Sequence, residues 1–180
     1  MIDQRIHGGL RTIHGLKNSI GHTYIHMGNY LNIGDWNATT GNVNSLWSNF
    51  YRGIRASSTF IENIDKCQDC PPDRVERFVA EARILRAFFY YNLIRSWGPV
   101  VLIGDQPISA DADLEGLNRN TMQECVDYIV SELDIAANNL SDFPYDGQNA
   151  GKMSRPYSLA LKEKVLLLNA SPLFNGNTAY

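Results

Sequence analysis

This 180-residue sequence has no excess of charge of one sign. Sixteen Lys and Arg stand against nineteen Asp and Glu, a formal net charge of −3. A protein that holds nucleic acid phosphates needs a basic surface, so nucleic acid is not an expected partner. No apolar run reaches the about 18 residues that cross a bilayer. The opening residues, "MIDQRIHGGL", lack both the apolar stretch and the cleavage site of a signal peptide. The expectation is therefore either a cytoplasmic chain or one whose export signal lies outside this sequence. Neither G-x-G-x-x-G nor a phosphate loop occurs, and Gly8-Gly9 reads as a turn or a helix start. Cysteine is scarce: Cys67 and Cys70 in "CQDC", and Cys125 alone. One C-x-x-C supplies only two of the four ligands of a structural zinc site. A thioredoxin-type pair lies between a strand and a helix, whereas this one lies between two predicted helices and precedes Pro71 and Pro72. Two small loop residues or a local disulfide is the reading that remains.

With 44% hydrophobic and 19% charged residues, the chain has the composition of a packed core. From Val43 to Lys66 the apolar residues Val43, Leu46, Trp47, Phe50, Tyr51, Ile54, Ile61 and Ile64 recur at intervals of three and four, the mark of an amphipathic helix. "CQDCPP" ends it, because proline disfavours helix in the residue before it and suits the first turn of the next. A second helix is predicted from about Asp73 to Trp97, stopped by Gly98-Pro99. Residues 98–120 read as a long loop with one extended piece, "VVLI". Thr121-x-x-Glu124 is a capping box opening a third helix that ends near Leu140. Ser154 caps a fourth, with Pro156 near its start, running to about Ala170. The first 42 residues are the least regular. Ile6 to Ile20 reads as a short helix, and "GNYLNIGDWNATTGN" as loop.

The second helix is apolar on more than one side: Val75, Phe78, Ala82, Leu85, Phe89 and Leu93 form one face, Phe88, Tyr91 and Ile94 another. Such a helix packs against its own partner and against the next pair. Two successive antiparallel pairs thus predict an all-α repeat layer. In it Arg83, Arg86 and Arg95 are expected to lay their stems along the packed surface and hold their heads at its edge. Trp47 and Trp97 lie on the apolar pattern and are expected in the core.

The groups of an enzyme are hard to assemble. Glycoside hydrolysis needs two carboxyl groups across one cleft. Glu76 and Glu81 are five apart and point to different sides of a helix, as do Asp127 and Glu132. A solvated or ion-paired helix surface is the expectation for all four. His7, His14, His22 and His26 cluster early, and His22-x3-His26 could begin a metal site, but Gly21 and Gly28 flank it and no acidic residue lies between. No metal, no cofactor and no catalytic residue is assigned.

Four stretches are together specific. Trp47-x3-Tyr51-x2-Ile54, "AEARILRAFFYYNLIRSWGPV" (residues 80–100), "TMQECVDYIVSELDIAANNL" (121–140) and "GKMSRPYSLALKEKVLLLNASPLFNG" (151–176) resemble, in order and spacing, the SusD/RagB family of nutrient-binding outer-membrane lipoproteins. Lys152, Pro156, Tyr157 and Leu168 depart from the usual pattern at packing positions. The resemblance implies tetratricopeptide-like antiparallel helix pairs in a right-handed superhelical layer. Residues 1–180 would be the N-terminal portion of a SusD-like domain, its C-terminal remainder and its signal and lipid anchor lying outside this sequence. It further implies a non-catalytic, surface-exposed protein of the outer membrane, held there by that lipid anchor. Such a protein captures glycans or oligosaccharides for a SusC-like TonB-dependent porin.

A sugar ring stacks on a flat aromatic while its hydroxyls bond to short polar side chains. "GDWNATTGN" sets Asp35, Trp36 and Asn37 together in a glycine-flanked loop. Members of the family take some sugar contacts from the region before the first long helix, so these three residues are the candidate ligand-binding site. The competing reading is that Trp36 tucks back onto the helix layer. The alternative functions are a helical-repeat scaffold for protein–protein interaction without sugar binding, and a hydrolase whose groups lie elsewhere.

Overall fold

The computed structural model describes residues 41–104, 117–142 and 151–176. Four helices lie in them: α1 (Gly41–Asn63), which continues into a 3-10 turn (Ile64–Lys66), α2 (Pro72–Trp97), α3 (Met122–Asn138) and α4 (Arg155–Asn169). Their ends fall within about two residues of those predicted, with the 3-10 turn completing the first segment. No strand occurs among the described residues. The "VVLI" run, read as extended from its β-branched content, is irregular backbone without a strand partner.

Local chemistry explains each boundary. Pro71 and Pro72 open α2, and the Pro71 carbonyl accepts from Arg74 N–H at 3.0 Å and Val75 N–H at 3.1 Å. Gly98 closes α2 with φ 70°, a conformation costly for a residue with a Cβ. The capping box of α3 is present in both directions: Glu124 N–H donates to the Thr121 hydroxyl at 3.2 Å, and Thr121 N–H donates to the Glu124 carboxylate at 2.8 Å. Those bonds to Thr121 hold the Glu124 carboxyl below its ordinary pKa. Ser154 departs from expectation. It stands at the N-cap of α4, but its side chain makes no capping bond. Pro156, at the second helical position, lacks one of the N–H groups that such a cap would bond.

Contacts between elements run in opposite directions along the chain, which makes each neighbouring pair antiparallel. Trp47 meets Trp97 while Ser58 meets Arg86, joining α1 to α2. Tyr90 meets Tyr128 while Arg86 meets Glu132, joining α2 to α3. Ser158 donates to the Leu133 carbonyl at 2.7 Å while Asn169 donates to the Gln123 side-chain oxygen at 3.5 Å, joining α3 to α4. The result is a tetratricopeptide-like helix layer in which each element packs mainly on its sequence neighbours. Phe50, Ile54, Leu85, Phe89, Leu93, Ile129, Leu133 and Val165 form its centre, each at most 1% exposed. Gly53 allows α1 and α2 to approach, because a Cβ there would sit 2.5 Å from the Phe89 ring.

Three features correct or refine the sequence reading. Arg86 does not hold its head at the edge of the layer; it is fully buried, at 0% exposure. The cause lies on another helix: Glu132 of α3 enters the same region and pairs with it. Arg83 is partly covered beside the same carboxylate, and only Arg95 is exposed, its guanidinium 5.7 Å from the Tyr91 ring centre. Glu81 and Glu132 are likewise ion-paired as expected, but buried rather than solvated. Cys67 and Cys70 form a disulfide across the α1–α2 turn, and Cys125 is a buried free thiol.

Candidate functional site

The candidate ligand residues Asp35, Trp36 and Asn37 lie outside the described residues, as do all four histidines. What the structure describes is the end of the layer from which that segment departs. There the first turns of α1 meet the last turn of α2 and the two ends of the α2–α3 connection.

Aromatic side chains dominate this end because the three- and four-residue spacing of α1 puts Trp47, Phe50 and Tyr51 on its α2 side. The Trp47 ring meets Trp97 edge-on at 5.4 Å and Tyr51 at 5.0 Å, and Phe50 meets Trp97 edge-on at 6.2 Å. Such tilted geometry satisfies the ring quadrupoles. The Arg119 guanidinium stands 5.9 Å from the Trp47 ring centre and donates to the carbonyls of Trp97 (3.2 Å) and Pro99 (3.1 Å). Trp47 and Trp97, expected in the core, are half-buried and packed against its edge. Trp47 is thus engaged by protein groups, so it supports a loop more readily than it serves as a stacking platform.

The irregular residues after Gly98 are held by side chains where a strand would use a neighbouring backbone. Ile103 N–H donates to the Tyr90 hydroxyl at 2.9 Å, and Leu102 N–H to the Asn120 side-chain oxygen at 2.9 Å. Tyr51 donates its hydroxyl to the Val101 carbonyl at 3.1 Å, and Asn120 N–H donates to the Val100 carbonyl at 3.0 Å. Each satisfied backbone group avoids a desolvation cost of about 1–3 kcal/mol. Burial raises the phenol pKa of both tyrosines, that of Tyr51 to about 12, so both keep their protons at any physiological pH. The sequence marked Tyr51 only as part of an apolar helical face and of a family stretch, and it did not mark the polar roles of Tyr51, Tyr90, Arg119 and Asn120. The one available signal was that a tyrosine on an apolar helical face needs a partner for its hydroxyl.

The second polar feature lies deeper. Glu132 accepts from Arg83 on one carboxylate oxygen and from Arg86 on the other, at 2.8 and 2.5 Å for Arg86. Arg86 also donates to the Ser58 hydroxyl at 3.1 Å and lies 5.8 Å from the Tyr128 ring centre. This knot ties α1, α2 and α3 together. Both oxygens of Glu132 are engaged, Glu81 is held by Arg77 at 3.0 Å, and Asp127 accepts from Gln123 at 2.8 Å. Three of the four carboxylates weighed for hydrolysis thus make structural contacts, and Glu76 lies exposed on α2. Among the described residues no three His, Cys, Asp or Glu side chains gather as metal ligands.

Comparison with known proteins adds to this geometry. A family model for SusD-like proteins, described as "Starch-binding associating with outer membrane", matches residues 11–166. A SusD-like protein of Bacteroides ovatus is 31% identical over 103 residues, which cover 56% of this chain and 18% of that protein. Among solved structures, a SusD homologue from Bacteroides thetaiotaomicron superposes with a TM-score of 0.69 at 26% identity, covering 78% of this chain and 28% of its own. A laminarin-binding SusD-like protein superposes with a TM-score of 0.61 at 29% identity, covering 68% of this chain and 26% of its own. The chain thus spans about a fifth to a quarter of the length of the curated relatives it matches.

Proposed function

This chain belongs to the SusD-like family, whose description is starch binding in association with the outer membrane, and from that membership we propose that it takes part in capturing glycans at the cell surface without cleaving them. The observation that carries the reading is the family match over residues 11–166, which spans all of α1, α2 and α3. In this reading residues 1–180 are the N-terminal portion of a longer SusD-like domain. The captured oligosaccharide passes to a SusC-like TonB-dependent porin, and the protein sits surface-exposed on the outer membrane. A neighbour that binds laminarin supports a polysaccharide as the ligand class.

Asp35, Trp36 and Asn37 are the proposed contact residues. Asn37 precedes the start of α1 at Gly41 by four residues. Covalent geometry alone keeps it within roughly 14 Å of that helix end. The aromatic and arginine-pinned end of the layer would give such a loop a rigid base, and a rigid base lowers the ordering cost of binding.

The test is Trp36→Ala in the full-length protein, assayed with starch-derived and laminarin oligosaccharides by calorimetry. Loss of a stacked ring costs about 0.5–1.5 kcal/mol beyond area, so affinity should fall several-fold with little change in Tm. A large fall in Tm with unaltered binding would make Trp36 a packing residue. Release of reducing ends above a buffer control would overturn the non-catalytic reading.

A further inference from the structure

The junction between α1 and α2 is built unlike the rest of the layer. From Asp65 to Val79 no residue is buried: Ile64, at 2% exposure, is the last core residue of one side, and Ala80 the first of the other. Pro71 to Arg74 are exposed, and Val75, Phe78 and Val79 are only half-buried against the core. The turn therefore draws little stability from apolar packing, and segments of that kind open locally well below the global unfolding free energy. What closes it is covalent. Cys67 and Cys70, with Cα atoms 5.5 Å apart, are joined as a disulfide, and both are partly accessible to solvent. A disulfide acts chiefly by restricting the opened chain, so its effect falls here on a segment with little else to hold it.

The third cysteine is kept out of this chemistry. Cys125 is fully buried in α3, donates its S–H to the Val100 carbonyl at 3.6 Å, and burial raises its pKa. A buried, protonated thiol exchanges slowly.

We propose that Cys67–Cys70 is a thiol–disulfide exchange site that acts as a redox-operated staple. Oxidation fixes the α1–α2 turn and the first two turns of α2, and reduction releases them while the core beyond Ala80 stays folded. In the closing step one cysteine thiolate attacks an external disulfide, either glutathione disulfide or the disulfide of a protein oxidant, and expels one thiol. The second cysteine then displaces the other half as a second thiol. Two protons and two electrons thus pass from the cysteine pair to the oxidant, which leaves as two thiols. An oxidising compartment favours the closed form. The staple does not depend on glycan binding.

The test equilibrates the full chain in oxidised or reduced glutathione and reads thiol titration, intact mass and backbone hydrogen exchange. The oxidised form should show no reactive thiol until denatured, when Cys125 alone reacts. Reduction should add two reactive thiols and two hydrogens of mass. Exchange within residues 65–79 should quicken by about tenfold or more on reduction, while the protection of α3 stays unchanged. A Cys67→Ser/Cys70→Ser variant should match the reduced form in both buffers. Should that variant fail to fold, the oxidised and reduced wild-type chains still decide the matter. Two reactive thiols under oxidising buffer, exchange in 65–79 indifferent to redox state, or loss of protection throughout the chain would each overturn the proposal.

Discussion

Helices α2 and α4 carry apolar residues around most of their circumference, yet the layer treats them differently. Twelve residues of α2 are buried, including Glu81, Arg86 and Asn92, whereas α4 buries only Ser158, Leu161 and Val165. Leu159, Leu166, Leu167 and Leu173, in and just after α4, are 45–63% exposed. The difference follows from neighbours. Among the described elements, α2 has α1 on one side and α3 on the other, while α4 rests mainly on α3. A two-sided position can therefore bury even a guanidinium, provided the facing helix brings a carboxylate. A one-sided position leaves leucines in water.

The largest expected effect tests the covered side. Glu132→Gln removes the carboxylate facing Arg86, which is 0% exposed. Breaking one partner of a buried pair costs about 3–5 kcal/mol, measured as a lower urea midpoint. A loss under 1 kcal/mol would show that the knot is solvated and that α2 is less enclosed than its burial indicates. Next is Gly53→Ala. In an exposed helix this change gains about 1 kcal/mol. Here the added methyl meets Phe89, which is fully buried, and overpacking of this kind costs about 1–3 kcal/mol. A more stable Gly53→Ala variant would mean that α1 and α2 can move apart.

A smaller effect is set by pH. The folded-state pKa of Tyr51 is about 12 against an ordinary 10, so between those values the folded chain keeps a proton that the unfolded chain has lost. Stability is then fully present below pH 10 and falls as pH rises towards 12. Tyr51→Phe should blunt this alkaline decline in Tm, leaving the part due to Tyr90, Tyr157 and Cys125, which burial also shifts upward. It should also cost about 0.5–1.5 kcal/mol at neutral pH, through the lost bond to Val101. An unchanged alkaline profile would show that the Tyr51 hydroxyl is solvated. The smallest effect on stability belongs to the open side. Leu167→Glu should change unfolding free energy by no more than about 0.5 kcal/mol. It should nonetheless reduce self-association in sedimentation, because exposed apolar patches promote association. A destabilisation like that of Glu132→Gln would show that this face is already covered.

Intervals of three and four, the prolines at 71 and 72, Gly98, and the Thr121 and Glu124 box were enough to mark four helices and their order. These signals are local, and each is a matter of backbone geometry or of a side chain reaching its own helix end. The four family stretches were legible for the same reason, since they follow that helical frame. Asp35, Trp36 and Asn37 remain a proposal that rests on residue type and on their place before α1.

Only the tertiary structure decided which charges are buried. Arg86 and Glu132 are 46 residues apart, and no periodicity links them until α2 and α3 lie antiparallel. The same holds for Tyr51, Tyr90 and Asn120, which hold the "VVLI" run in place of a strand, and for Arg119, which holds the Pro99 carbonyl just before it, across 13 to 50 residues of chain. It holds too for the four consecutive apolar residues Val165 to Leu168, of which Val165 is buried, Leu168 half-buried, and Leu166 and Leu167 exposed. Periodicity says that a helix has an apolar face. Whether a neighbour covers that face depends on how the chain returns, and that depends on contacts between residues that no local pattern connects.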